Sequence, residues 1–174
     1  MTSCAQNQSE FRLLRCTQCS VLFDLKKSKF EFKSDEFWCP SCRFSAMDPF
    51  QEVVPAGGML YCSLVSGSHI QTTLVLPMVE SWVNAGETVE VRMLRVDCNK
   101  VIHEWPREIT CEINGETAFS IQPPSQGHRR RDVPQNVIAQ LRNGTNEFIF
   151  QMSDCSGVNS FAIALVHTKT CRTQ

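Results

Sequence analysis

Two closely spaced cysteine pairs constrain this chain more than any other feature. Cys16-Thr17-Gln18-Cys19 is followed, after nineteen residues, by Cys39-Pro40-Ser41-Cys42. Two thiolates three residues apart on a tight turn can point at one centre. Two such turns complete the tetrahedral sulfur shell, at about 2.3 Å, that zinc prefers. With four sulfurs no position is left for water or substrate, so the spacing predicts one structural zinc ion held by Cys16, Cys19, Cys39 and Cys42. Such an ion stabilises a segment too small to fold on its own core. Leu22, Phe23, Phe30 and Phe32 are expected to cover the hairpin between the knuckles.

The rival readings of this spacing are two disulfides or a thioredoxin-like redox pair, and the latter lacks its βαβ context. The opening MTSCAQNQSEFRLL has no basic region followed by an apolar run, and no later stretch approaches bilayer length. The chain therefore reads as soluble and intracellular, where ten cysteines point to metal binding or burial rather than disulfides. Cys62, Cys98, Cys111 and Cys155 fall in or beside expected strands and read as buried free thiols, while Cys4 and Cys171 lie near the termini. Asn143-Gly144-Thr145 matches a glycosylation sequon but, with no export signal, is read as a turn.

Lys26, Lys27, Lys29 and Lys33 cluster between the knuckles, and the character of the chain changes near residues 48–58, where Pro49, Pro55, Gly57 and Gly58 fall together. This places a zinc-binding segment at 1–50 and a second domain at 58–170. In the latter, period-two patterns or short apolar runs at 59–65, 70–76, 88–96, 109–113, 116–121, 146–152 and 161–167 predict strands. Asn114-Gly115 between two of them is a type I′ hairpin signal. Only 134–143 has helical spacing, through Val137, Ile138 and Leu141, with Gly144 placed as a C-terminal cap. The fold class is thus mainly β: a four-cysteine zinc segment followed by an antiparallel β-sandwich.

A net charge of -1, from 17 Lys+Arg against 18 Asp+Glu, leaves no global field to mark a nucleic-acid or membrane binder. Electrostatic recognition has to be local. His69, His103, His128 and His167 are scattered, and no Gly-rich phosphate loop or catalytic constellation is evident, so the chain by itself is expected to bind partners rather than catalyse.

The run Cys39-Pro40-Ser41-Cys42-Arg43, continuing to Ala46, Asp48, Pro49 and Phe50, resembles the end of the PHD finger in plant-type Siz SUMO ligases. Trp105-Pro106, Ile109, Cys111, Ile113-Asn114-Gly115, Pro123-Pro124, His128-Arg129-Arg130-Arg131-Asp132, Pro134, Val137-Ile138, Leu141, Gly144, Asn146, Phe150 and Phe161–Val166 resemble, in that order, the PINIT domain of the Siz/PIAS family. The resemblance spans roughly residues 58–170. It implies a PINIT-like β-sandwich, a nuclear protein, and the substrate-selecting part of an E3 SUMO-protein ligase, a transferase of the Ubl conjugation pathway. In that family an SP-RING follows and engages the SUMO-conjugating enzyme; no such cysteine-rich domain is found up to Gln174, so ligase activity is not expected of this chain alone. A PHD finger binds two zinc ions through eight ligands, whereas four cysteines stand at ligand spacing here. SUMO or the conjugating enzyme would be contacted only in a full-length parent. The alternative is a zinc-ribbon and sandwich adaptor that binds chromatin proteins or nucleic acid.

Three local expectations complete the reading. Trp105, just before a hairpin strand, should lay its ring across the core. Asp132-Val133-Pro134 should open the helical turn. His128-Arg129-Arg130-Arg131 should sit on an exposed loop, where Arg129, Arg130 and Arg131 dock an acidic protein surface on the SUMO substrate, with nucleic acid second.

Overall fold

The computed structural model of the chain describes residues 13–24, 36–65, 67–98, 100–153 and 161–170. The four lysines at 26–33, Phe30, Phe32, Cys4, Cys155 and Cys171 lie outside the described residues. In chain order the strands are β1 (Leu13–Arg15), β2 (Leu22–Asp24), β3 (Gln51–Val53), β4 (Met59–Leu64), β5 (His69–Leu76), β6 (Thr88–Arg95), β7 (Ile109–Ile113), β8 (Glu116–Ile121), β9 (Gln135–Asn136), β10 (Gly144–Met152) and β11 (Phe161–Thr170). Two short helices, α1 (Pro40–Ala46) and α2 (Val79–Asn84), accompany them.

All seven expected strands are present, with ends shifted by a few residues. They form two antiparallel sheets. One has the order β5-β10-β7-β8; in the other, β11 lies between β6 and an edge shared by β3 and β4, and β9 adds to the far side of β6. The Asn114-Gly115 turn has φ of 54° and 84°, the doubly positive geometry of a type I′ hairpin. Between the sheets Val89, Val91, Met93, Ile109, Phe148, Phe150, Ile163 and Leu165 lose all contact with solvent. Each such side chain contributes about 1.5–3 kcal/mol on removal from water. Trp105 joins this core as expected: its Nε1–H donates to the Val133 carbonyl at 3.0 Å and its ring lies 5.4 Å from that of Phe119.

β11 is buried from Phe161 to Thr168, on both faces. The outward-facing Ala162, Ala164 and Val166 form a second core with Leu94, Val96 and Phe44. Phe44 belongs to α1, which begins with Pro40 in the first turn, where a missing N–H costs nothing. The helix is held there by two buried guanidinium groups. Arg43 on α1 donates to the backbone oxygens of Arg95, at 2.7 Å, and Lys100. Arg92 on β6 is fully buried; it donates to Phe44 O at 2.8 Å, Gln51 O at 3.0 Å and the Glu90 carboxylate at 2.9 Å.

The expected helix at 134–143 does not form. Gln135–Asn136 pairs with β6, and only Ile138–Gln140 makes one turn of 3₁₀ helix. The Val137 N–H donates to Val89 O at 2.8 Å, so this segment spends its backbone bonds on the sheet edge. Val137 is buried, and Ile138 and Leu141 pack against the inter-sheet core; the helical spacing arose from a turn too short to be a helix. Gly144, at φ 94°, opens β10 rather than capping a helix. Asp132 accepts a backbone N–H, as expected, but from Trp105 at 3.0 Å rather than from the turn.

His103 lies 4.6 Å from the Trp105 ring, with neither ring nitrogen bonded. Burial lowers its pKa to about 4, opposed by the charge of Asp132 and assisted by that of Arg92. The unfolded chain takes up a proton below about pH 6.5, which the folded chain refuses until about pH 4. Stability is therefore complete above pH 6.5 and falls by roughly 3 kcal/mol as pH drops towards 4. His103→Phe should remove this component, so in denaturant unfolding the variant should gain on the parent by roughly 3 kcal/mol between pH 7 and pH 4.5. Parallel pH profiles would contradict it. Trp105→Ala should cost about 3–5 kcal/mol in the same assay, and an unchanged midpoint would show that the ring contributes no core packing.

Candidate metal centre and basic loop

The four cysteines meet. Their Sγ atoms all lie within 4.8 Å of one another, and those of Cys19 and Cys39 are 3.7 Å apart. A tetrahedron of sulfurs at about 2.3 Å from its centre has edges of about 3.8 Å, so the cluster has the dimensions of a four-thiolate metal site. The first knuckle follows β1: Ser20 N–H returns to Cys16 O at 2.9 Å, and Ser20 takes φ 61°, turning the chain so that Cys16 and Cys19 face one point. The second is fixed by α1. Cys39 stands at its N-cap and Cys42 within its first turn, and the Cys39 N–H donates to Cys16 Sγ at 3.2 Å, joining the two knuckles.

Apolar support around the cluster is slight. Leu14, Cys16, Phe37 and Cys39 are buried, with Phe23 and Cys42 beside them. Leu22, expected to cover this hairpin, points outward and is 53% exposed. The pairing explains it: Leu14 faces Phe23 on the inner side, and Arg15 faces Leu22 on the outer side. Burial pushes the Cys39 thiol up to about 11 and raises Cys42 likewise. Cys16, against the same burial, is brought down to about 6 by the amides of Cys39, Cys19 and Gln18. Burial thus holds Cys39 and Cys42 towards the thiol form unless a cation compensates, and four sulfurs in one cluster are the donor set of a soft divalent ion.

Among the described residues three other cysteines are free thiols: Cys111 is buried, and Cys62 and Cys98 are partly buried. Burial pushes Cys111 up to about 12 and also raises Cys62, so neither has nucleophilic character. The histidines stay apart in role. His167 bonds Glu87 Oε2 at 2.7 Å and stacks on Trp82 at 4.1 Å, whereas His69 and His128 are exposed. No helix of the described residues is long and apolar enough to cross a membrane.

The three arginines of the basic loop divide. Arg130 turns inward: Nε bonds Asp132 Oδ1 at 2.5 Å, Nη1 reaches the carbonyls of Arg107 and Gln122, and Nη2 those of Trp105 and Pro106 at 3.0 and 2.9 Å. It is a clamp that fixes the loop beside Trp105. Arg129 and Arg131 are exposed, as is His128. The sequence signal, three like charges in a row, identified the loop but could not separate the structural arginine from its neighbours. Arg43 and Arg92 were missed as well, because a charge inside a buried strand or a metal knuckle has no periodic signature.

No family model and no curated protein matches the sequence. Among solved structures, that of the S. cerevisiae SUMO E3 ligase Siz2 is similar with a TM-score of 0.50 at 9% identity, over 72% of this chain and 52% of that one. The S. cerevisiae Siz1 structure has a TM-score of 0.48 at 8% identity, over 71% and 48%. The chain thus spans about half the length of these ligases. At that identity the likeness is one of fold: the mainly β, antiparallel architecture is shared with the structure of a Siz-type SUMO E3 ligase.

Proposed function

We propose that this chain is a SUMO E3 ligase-related module, a PINIT-like sandwich with a zinc-binding segment, which selects and positions the protein that receives SUMO. The observation that carries the reading is the fold likeness to Siz2, to which the ordered series from Trp105-Pro106 to Phe161–Val166 adds residue-level support. Nuclear location follows from the same reading. The cation of the cysteine cluster is zinc: four thiolates suit it, and the small apolar core beside them needs a metal to hold two knuckles together. Residues 1–50 then form the zinc segment and 58–170 the sandwich.

Within this reading Arg129 and Arg131 meet an acidic surface of the substrate protein. They project from a loop that Arg130 holds rigid, so little ordering entropy opposes binding. Two planar guanidinium groups suit bidentate contacts to carboxylates.

Protein purified without added metal should hold one zinc ion per chain by elemental analysis, and Cys39→Ser should lose it together with the order of the knuckles; a folded, zinc-free parent would remove the claim. Used as bait, the chain should enrich proteins that acquire SUMO, or the SUMO-conjugating enzyme. Arg129→Glu with Arg131→Glu should keep fold and zinc but weaken that capture about tenfold or more at low salt. Parent binding should itself weaken as the screening length shrinks from about 10 Å at 0.1 M to about 3 Å at 1 M salt. Equal capture by variant and parent would make the loop a solvated turn. Enrichment of chromatin proteins or nucleic acid without SUMO-pathway proteins would favour the adaptor reading instead.

A further inference from the structure

The four clustered cysteines differ in how far solvent reaches them. Cys19 is exposed and Cys42 half-buried, whereas Cys16 and Cys39 are only 1% and 4% exposed. A recess of about 450 Å³ opens beside Cys19, lined also by Gln18, Trp38, Ser41, Cys42 and Met59, and no charged side chain lines it. It admits a small neutral molecule to the edge of the cluster. Inside, Cys19 Sγ stands 3.7 Å from Cys39 Sγ. The sulfur of Cys16, the other member of the first knuckle, already accepts the Cys39 N–H at 3.2 Å. The exposed sulfur therefore has a buried sulfur as its neighbour across the join between the two knuckles.

We propose that Cys19 is a site of oxidation by hydroperoxides and that Cys39 captures the oxidised sulfur, so that the cluster gives up its metal under oxidising conditions. This inference rests on the zinc reading of the cluster. Bound zinc would keep all four sulfurs as thiolates, the nucleophilic form. The Cys19 thiolate attacks one peroxide oxygen; the S–O bond of a sulfenic acid forms as the O–O bond breaks, and the other oxygen takes a solvent proton and leaves as water. The Cys39 thiolate then attacks the Cys19 sulfur; the S–S bond forms, the S–O bond breaks, and the second oxygen leaves with a solvent proton as water. The two sulfurs together lose two electrons and the peroxide gains them. Cys16 and Cys42 then remain as thiolates, too few to complete a tetrahedral shell. Cys42 lies in the first turn of α1, so the helix is left more weakly held on the sheet.

The test uses the full chain, analysed first for zinc and then treated with hydrogen peroxide, with zinc release followed by a chromophoric chelator and the cysteines mapped by mass spectrometry. Loss of two thiols should release the zinc, yield a Cys19–Cys39 cross-linked fragment, speed amide exchange in α1, and be reversed by a dithiol reductant with added zinc. Cys19→His keeps four zinc ligands but removes the oxidisable sulfur, and should slow release at least about tenfold. Cys62→Ser with Cys98→Ser, which removes the two other partly buried thiols, should leave the rate unchanged. Release from Cys19→His as fast as from the parent overturns the proposal, as does oxidation of Cys62 or Cys98 with the zinc retained. A cross-link that leaves out Cys19 or Cys39 overturns it too, and this map decides the matter even where Cys19→His fails to fold. A chain that holds no zinc before treatment overturns the zinc reading and the release step with it, and is told apart from a failed oxidation by the initial metal analysis.

Discussion

Arg92 carries its charge where no water reaches, and the rest of the molecule is arranged around that fact. An unpaired buried ion is among the most destabilising things a fold can contain. Here the guanidinium is matched by the Glu90 carboxylate and by the carbonyls of Phe44 and Gln51. Those carbonyls come from α1, which precedes the sandwich, and from β3, its first strand. Seating the charge therefore requires the chain before the sandwich to lie on its outer face. Once it does, Phe44 completes an apolar layer with Ala162, Ala164 and Val166, and β11 becomes a central strand covered on both sides.

The same helix belongs to the four-cysteine cluster. Cys39 and Cys42 present their sulfurs to Cys16 and Cys19, and the next two residues, Arg43 and Phe44, are among the least exposed side chains of the protein. The cysteine cluster and the cover of the sheet are thus consecutive in sequence and share one short element. A seven-residue helix is too short to be stable alone in water. It is formed because its first turn is fixed by the cysteine cluster and its remainder by Arg43 and Phe44 against β6 and β11.

Arg130 has a related part. It gathers four carbonyls and the Asp132 carboxylate, which also receives the Trp105 N–H. This closes the loop over Trp105 and leaves Arg129 and Arg131 outside on a fixed base.

By itself the sequence determined the local chemistry: two cysteine pairs at ligand spacing, seven strands with their period-two or apolar patterns, the Asn114-Gly115 hairpin, and Trp105 as a core aromatic. These are readable because each is set by a few neighbouring residues, through dihedral preference, side-chain alternation or reach. The basic block was legible as a loop, but the division between Arg130 and its neighbours was not, since it depends on carbonyls from residues 105 to 122. The 134–143 segment shows the same limit: its apolar spacing was real, yet a sheet edge 45 or so residues away took its backbone bonds and left a single 3₁₀ turn. Only the tertiary structure decided that α1 covers β11, that Arg43 and Arg92 are buried, and that Leu22 faces out while Phe23 faces in. Each of these is a long-range packing outcome, fixed by where charges find acceptors and apolar faces find cover rather than by the residues on either side.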